Sequence, residues 1–172
     1  MKRIFLTLSM VLFCSVATTM AQKFALIDME YILKNIPAYE MANEQLNQQS
    51  EKWNAEAEAL QQEAANMYKT YQSDLVFLSE EMKSKRQDEI FKKEQDAMVL
   101  KRKYFGAEGE LHKKREALMA PIHDEIYQAV KAIAEDNNYQ VVWDRASDMS
   151  IIYASPKIDI SNEVLLKLGY SK

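Results

Sequence analysis

The chain has 172 residues, 28% of them charged and 48% hydrophobic, with a formal net charge of −4 and one cysteine. One cysteine excludes a disulfide framework within the chain, and an acidic balance with no basic block argues against a nucleic-acid partner. The excess acidic charge mainly favours solubility.

The first 21 residues, MKRIFLTLSMVLFCSVATTMA, predict an export signal. Lys2 and Arg3 form a positive start, residues 4–16 are mostly apolar, and Thr19-Met20-Ala21 is a small-x-small cleavage site after which the signal is cut. The apolar run is shorter than the ~20 residues of a comfortable membrane span. Cys14 lies inside it behind Leu12 and Phe13, where a lipoprotein signal would want small residues. The mature chain, residues 22–172, then has no thiol, so packing or oligomerisation carries its stability. Without Lys2 and Arg3, 20 basic residues face 26 acidic ones, a net of −6.

Three short runs rich in β-branched and aromatic residues predict strands: FALI at 24–27, QVVW at 140–143 and SIIYA at 150–154. Each is apolar on both faces, and three strands this short cannot form an independent core. Phe24, Leu26, Val141, Trp143, Ile151 and Tyr153 supply strand faces that must be covered by the chain's own helix ends or by other copies. We read these six as assembly residues.

Between the first two runs, 83 residues separate Pro37 from Pro121 with only Gly106 and Gly109 as helix-weakening positions. Gln, Glu, Lys, Ala, Met and Leu fill the stretch and lose little rotamer freedom in a helix. A short helix over 29–36 stops at Pro37, and a long one starts near Ala38. Trp53, Leu60 and Met67 recur every seven residues, as do Ala57, Ala64 and Tyr71, giving an a/d seam. Ser79 followed by Glu80 and Glu81 predicts the start of a second long helix. That helix carries apolar pairs at the same spacing, Ile90/Phe91, Ala97/Met98 and Tyr104/Phe105, and ends at Asp136-Asn137-Asn138. The two long helices should fold back as an antiparallel hairpin arm over 38–120, its first helix about 55 Å long. With the tip near 75–79, the numbers of facing residues add up to about 155. Residues 22–37 and 121–172 form the β-rich base.

Three features of the arm invite a functional reading. Leu75, Val76, Phe77 and Leu78 place an apolar run at the tip, where a turn normally collects polar residues, and are candidate contacts for a bound polypeptide. Gly106 and Gly109 face a polar stretch, residues 47–50, and mark either close packing of small residues or an elbow. If they are helical, alanine at both should raise helix stability by up to ~2 kcal/mol in sum. Pro121 is a third hinge candidate, where the helix kinks or restarts between arm and base. Met67, Met82, Met98 and Met119 suit adaptable apolar contact, though the hairpin core is the simpler place for each.

No catalytic constellation stands out. His112 and His123 are the only histidines, there is no cysteine to complete a metal site with them, and no nucleotide-binding or nucleophile motif occurs. No cofactor or metal is expected, and the chain does not read as an enzyme.

The order of signal, KFALIDMEYILKNIPAY, long hairpin, PIHDEIYQAVKAIAEDNNYQVVWDRA, SIIYA and DISNEVLLKLGY resembles the Skp/OmpH family of periplasmic chaperones for outer-membrane proteins. The resemblance implies an α+β, mostly α fold, with three chains joined through a β-rich trimerisation base and three helical tentacles around a cavity. It implies an ATP-independent holdase that keeps unfolded outer-membrane β-barrel proteins from aggregating in the periplasm. The alternative is a structural coiled-coil spacer or adaptor of the envelope. The best-known members are basic and this mature chain is acidic, which argues against membrane-lipid binding. Basic clusters at Lys83, Lys85, Arg86, Lys92 and Lys93, at 101–103 and at 113–115 read most simply as helix-surface charge.

Overall fold

The computed structural model describes residues 23–147 and 151–170; the export signal predicted for the first 21 residues lies outside them. The chain runs β1 (Lys23–Ile27), α1 (Met29–Lys34), α2 (Pro37–Asp74), α3 (Glu80–Phe105), α4 (Glu110–Asn137), β2 (Tyr139–Asp144), a 3₁₀ turn (Pro156–Ile158) and α5 (Ser161–Lys167). The fold is α+β and mostly α. β1 and β2 pair in parallel, Phe24 with Val141 and Leu26 with Trp143. A parallel pair needs a crossover. Here the crossover is everything from α1 to α4, so the whole arm is an insertion between two neighbouring strands.

The base closes on one core. Ala25 and Ile27 from β1 meet Ile32, Ile36, Ile122, Ile126, Ala129, Ile133, Ile160, Val164 and Leu165 from the helices around them. Ala42 also belongs to it, with Tyr39, Leu118 and Met119 packed against its edge, so the core reaches a turn or so into the arm. Asp28 caps α1 by accepting a hydrogen bond from the Tyr31 N–H at 2.8 Å. Pro37 opens α2 at the position where its missing N–H costs nothing. Asn138 ends α4 in the left-handed conformation, φ 58°, a role its short polar side chain tolerates.

The arm is an antiparallel hairpin of α2 against α3 and the first part of α4. Its seam is narrow: Ala57, Ala64 and Tyr71 from α2 and Ile90, Ala97 and Tyr104 from α3 are buried. The Trp53 ring stacks on Tyr104 with centroids 4.7 Å apart and planes 9° apart. Gln87 Nε2 donates to Tyr71 Oη at 2.9 Å, and Lys93 pairs with Glu63 at 3.1 Å. The numbers of these three facing pairs add up to between 156 and 158, close to the expected 155.

Three expectations need correction. The second long helix is not continuous: α3 ends at Phe105 and α4 begins at Glu110. The peptide between them is a tight turn, closed by the Gly109 N–H bonding to the Gly106 carbonyl at 2.9 Å. Pro121, conversely, lies inside α4, and the helix does not restart there. Third, residues 151–155 form no regular structure, and the part of the predicted strand at Ser150 falls outside the described residues. β1 already has β2 on one side, and on the other an isolated bridge from Leu26 to Asp159, so residues 151–155 have no place beside it.

Candidate interaction surfaces

The tip is a turn in which the Phe77 N–H bonds the Asp74 carbonyl at 2.8 Å. Leu78 is half-buried. Val76 and Phe77 are 87% and 85% exposed, and Leu75 is 39% exposed. On the far side of the turn Ser79 caps α3, accepting from the Met82 N–H at 3.3 Å, and Met82 is itself half-exposed. The sequence run at 75–78 therefore divides into one residue that packs and a hydrophobic cap that does not.

A second apolar surface runs along α3. Of the first two adjacent pairs in the repeat, only the first residue enters the seam, while in the third Phe105 is half-buried with its ring edge-on to Tyr104. Ile90 and Ala97 are buried, whereas Phe91 and Met98 point away from it, 61% and 53% exposed, with Val99 exposed beside them. Two neighbours on a helix lie about 100° apart, so a one-residue-wide seam cannot hold both. That arithmetic was available in the sequence. Met67 and Met119 are half-buried as core residues would be, while Met82 and Met98 are not.

The break at Gly106 and Gly109 is held by close backbone contacts. A Cβ at Gly106 would sit 2.5 Å from the Arg102 carbonyl oxygen, and one at Gly109 would sit 2.7 Å from the Tyr104 carbonyl oxygen. Alanine cannot simply extend the helix here, so the expected gain in stability does not follow. Tyr104, next to the break, donates from its hydroxyl to Glu56 Oε2 at 2.9 Å. Burial, helped by that carboxylate, pushes its phenol up from its ordinary value, keeping it a neutral donor. α2 runs unbroken past this point.

In the base, the sheet has an inner and an outer face. The outer face carries Phe24, Val141 and Trp143, 38%, 40% and 43% exposed, with the Phe24 and Trp143 rings 5.3 Å apart. Leu26 belongs to this face by register but is 4% exposed, so it is already covered within the chain. The Ile160 N–H bonds the Leu26 carbonyl at 2.9 Å and brings residues 159–160 alongside it. Ile151 is half-buried, while Ile152 and Tyr153 are 99% and 83% exposed.

Sequence reasoning missed the polar ring at the end of the sheet. Arg145 bonds Asp28 Oδ2 through Nη2 at 3.0 Å and reaches Asp159 Oδ2 through Nη1 at 3.4 Å. Asp159 Oδ1 accepts from the Ser161 hydroxyl at 2.6 Å, and that hydroxyl accepts from the Asp28 N–H at 2.8 Å. Beside the ring, Asp144 Oδ1 accepts from the N–H groups of Met29 and Ala146 at 3.0 Å each, and Oδ2 accepts from the Ser147 hydroxyl. Partial burial pushes the Asp144 carboxyl up, but these hydrogen bonds outweigh it and hold it below its ordinary value. The only sequence signal was the charged WDRA turn after a strand.

An open crevice of about 490 Å³ lies where arm meets base, lined by Leu33, Tyr39, Met119, Arg115 and His123 among others. Among the described residues no cluster of His, Cys, Asp and Glu could hold a metal, and no helix is long and apolar enough to cross a membrane.

Comparison with known proteins places this fold. A crystal structure of an OmpH-like protein from Caulobacter crescentus CB15, described as a candidate outer membrane chaperone, superposes with a TM-score of 0.69. The match covers 86% of this chain and 83% of that one at 13% identity, a likeness of fold. No curated protein matches the sequence. The sequence model of the family described as "Outer membrane protein (OmpH-like)" matches residues 23–168, and on that match the chain belongs to the OmpH-like family.

Proposed function

We propose that this protein is a chaperone of the periplasm, an ATP-independent holdase that keeps unfolded outer-membrane β-barrel proteins from aggregating. The observation that carries this reading is the exposed apolar surface of the arm. Val76 and Phe77 at the tip, and Phe91, Met98 and Val99 along α3, lie outside the arm's own seam. Scattered apolar side chains among charges, methionine among them, suit weak contact with many sequences. An arm that served only as a spacer would have no use for them.

On this reading the chain acts as a homotrimer. Phe24, Val141 and Trp143 on the sheet, with Ile151 and Tyr153 beyond it, are the surface through which copies join. Three arms then stand around one cavity, with the tip residues Leu75 to Leu78 at its mouth and the turn at Gly106 and Gly109 as the place where each arm yields. The carboxylate-rich surface makes anionic lipid an unsuitable partner.

The test is to dilute an unfolded outer-membrane barrel out of denaturant with and without one equivalent of trimer, and to follow light scattering. Suppressed aggregation without nucleotide supports the holdase. Full aggregation beside an intact trimer would overturn it in favour of an envelope spacer.

A further inference from the structure

Two stems flank the apolar residues 151–153, of which Ile152 and Tyr153 are exposed, and the stems lie on opposite edges of β1. Leu26 pairs with Trp143 in β2 on one side and bridges Asp159 on the other. Arg145 follows β2, anchored by its N–H to the Ile27 carbonyl at 2.9 Å. Its guanidinium reaches around the end of β1, takes the Asp28 carboxylate through Nε and Nη2 at 3.2 and 3.0 Å, and takes Asp159 through Nη1 at 3.4 Å. Ser161, 3% exposed, joins Asp159 back to the Asp28 N–H and closes the ring.

This ring adds little to the chain's own core. The Arg145 side chain is 45% exposed, and its partners Asp28 and Asp159 are 23% and 21% exposed. Partly exposed pairs of this kind contribute little to folding. What the ring does set is the separation of the two stems from which residues 151–153 are displayed. Ile152 and Tyr153 bury almost nothing within the chain. The same chain offers what would cover them: an apolar outer sheet face at Phe24, Val141 and Trp143, and an edge of β2 with no partner strand among the described residues. An open edge, an apolar face and an unpaired apolar segment on one chain complement each other between copies.

We propose that Arg145 is the positioning residue of the assembly surface, presenting residues 151–153 in a fixed pose to a second copy of this chain. The inference rests on the self-assembly reading above. A segment held in its bound pose loses less conformational freedom on association, so the clasp acts on assembly more than on folding. Arginine suits the role, because its rigid planar fork holds Asp28 through two nitrogens while a third reaches Asp159; the ammonium of lysine is a single compact point on a flexible stem and fixes their spacing less well.

The experiment compares full-length wild type, Arg145→Gln, Arg145→Lys and Ile152→Ser/Tyr153→Ser by sedimentation over a range of concentrations, with far-ultraviolet circular dichroism on each. The expected result is an assembled wild type and unchanged helix content throughout. The concentration for half-assembly should rise about tenfold or more in Arg145→Gln and in the double variant, with Arg145→Lys between wild type and Arg145→Gln. Raising the salt from about 50 to about 500 mM should weaken wild type relative to Arg145→Gln, because the clasp is partly exposed and screened. An assembled wild type with Arg145→Gln equally well assembled would overturn the clasp alone. A monomeric wild type at micromolar concentration would overturn self-assembly, and the clasp with it. Should Arg145→Gln fail to fold, Arg145→Lys assembling as tightly as wild type at both salt concentrations would overturn the proposal.

Discussion

Single residues in this chain sort by what they touch, and their substitutions should sort the same way. Ile126 is fully buried at the centre of the base core. Ile126→Ala should cost roughly 2–5 kcal/mol in urea unfolding, as truncation in a packed site does. Val76 and Phe77 lie at the other extreme of exposure. Val76→Ser with Phe77→Ser should change stability by no more than about 0.5 kcal/mol. It should still weaken the proposed retention of an unfolded barrel, measured as the amount of protein needed to halve light scattering. Asp144 makes a prediction in pH. Its native carboxyl titrates below its unfolded value, held down by hydrogen bonds from Ser147, Met29 and Ala146 against the opposing effect of burial. The stability it contributes is therefore complete above the ordinary value near ~3.9 and is lost as pH falls through the lower native value. Asp144→Asn should be less stable than wild type at neutral pH, and the gap should narrow below about pH 4 in a series of unfolding curves.

At the scale of elements, the arm was legible and the base only partly so. Seven-residue spacing placed Ala57, Ala64 and Tyr71 opposite Ile90, Ala97 and Tyr104, because helical periodicity is a local property of the chain. Ser79 and Asn138 marked helix ends through hydrogen bonds and backbone preferences that act within a few residues. The helix break at Gly106 and Gly109 was not legible because glycine weakens a helix without showing whether the chain leaves it. That outcome depends on how the Arg102 and Tyr104 carbonyls crowd the missing Cβ positions. Residues 151–155 read as a strand by composition, but composition does not say which edge receives a strand, and within this chain they pair with neither β1 nor β2. The ring from Asp28 to Ser161 joins residues more than a hundred positions apart, and no local pattern announces it. The glycine turn yields its own prediction. Gly106→Ala and Gly109→Ala should each destabilise by about 1–3 kcal/mol, against the usual gain from alanine in a helix. Trp53, stacked on Tyr104 beside the turn, should report the disturbance by fluorescence while the base stays folded.

For the whole molecule, the division into arm and base can be tested by removal. A variant lacking residues 47–112, with its ends rejoined by a short turn, keeps Tyr39, Ala42, Leu118 and Met119 against the base core. It should still assemble, seen as an unchanged subunit number by light scattering, while losing all holdase activity. Loss of assembly would place subunit contacts in the arms instead. The insertion of the arm between β1 and β2 also bears on the order of events during folding. Since β1 is synthesised long before β2, the first strand waits unpaired while the whole arm emerges. Closing so long a loop at random is slow, but a hairpin that zips from its tip shortens it step by step. The arm is thus a kinetic guide for the base that carries it. Weakening the turn at 75–79 would slow formation of the sheet while leaving its final stability almost untouched, and the waiting strand would be the chain's own point of exposure to misfolding.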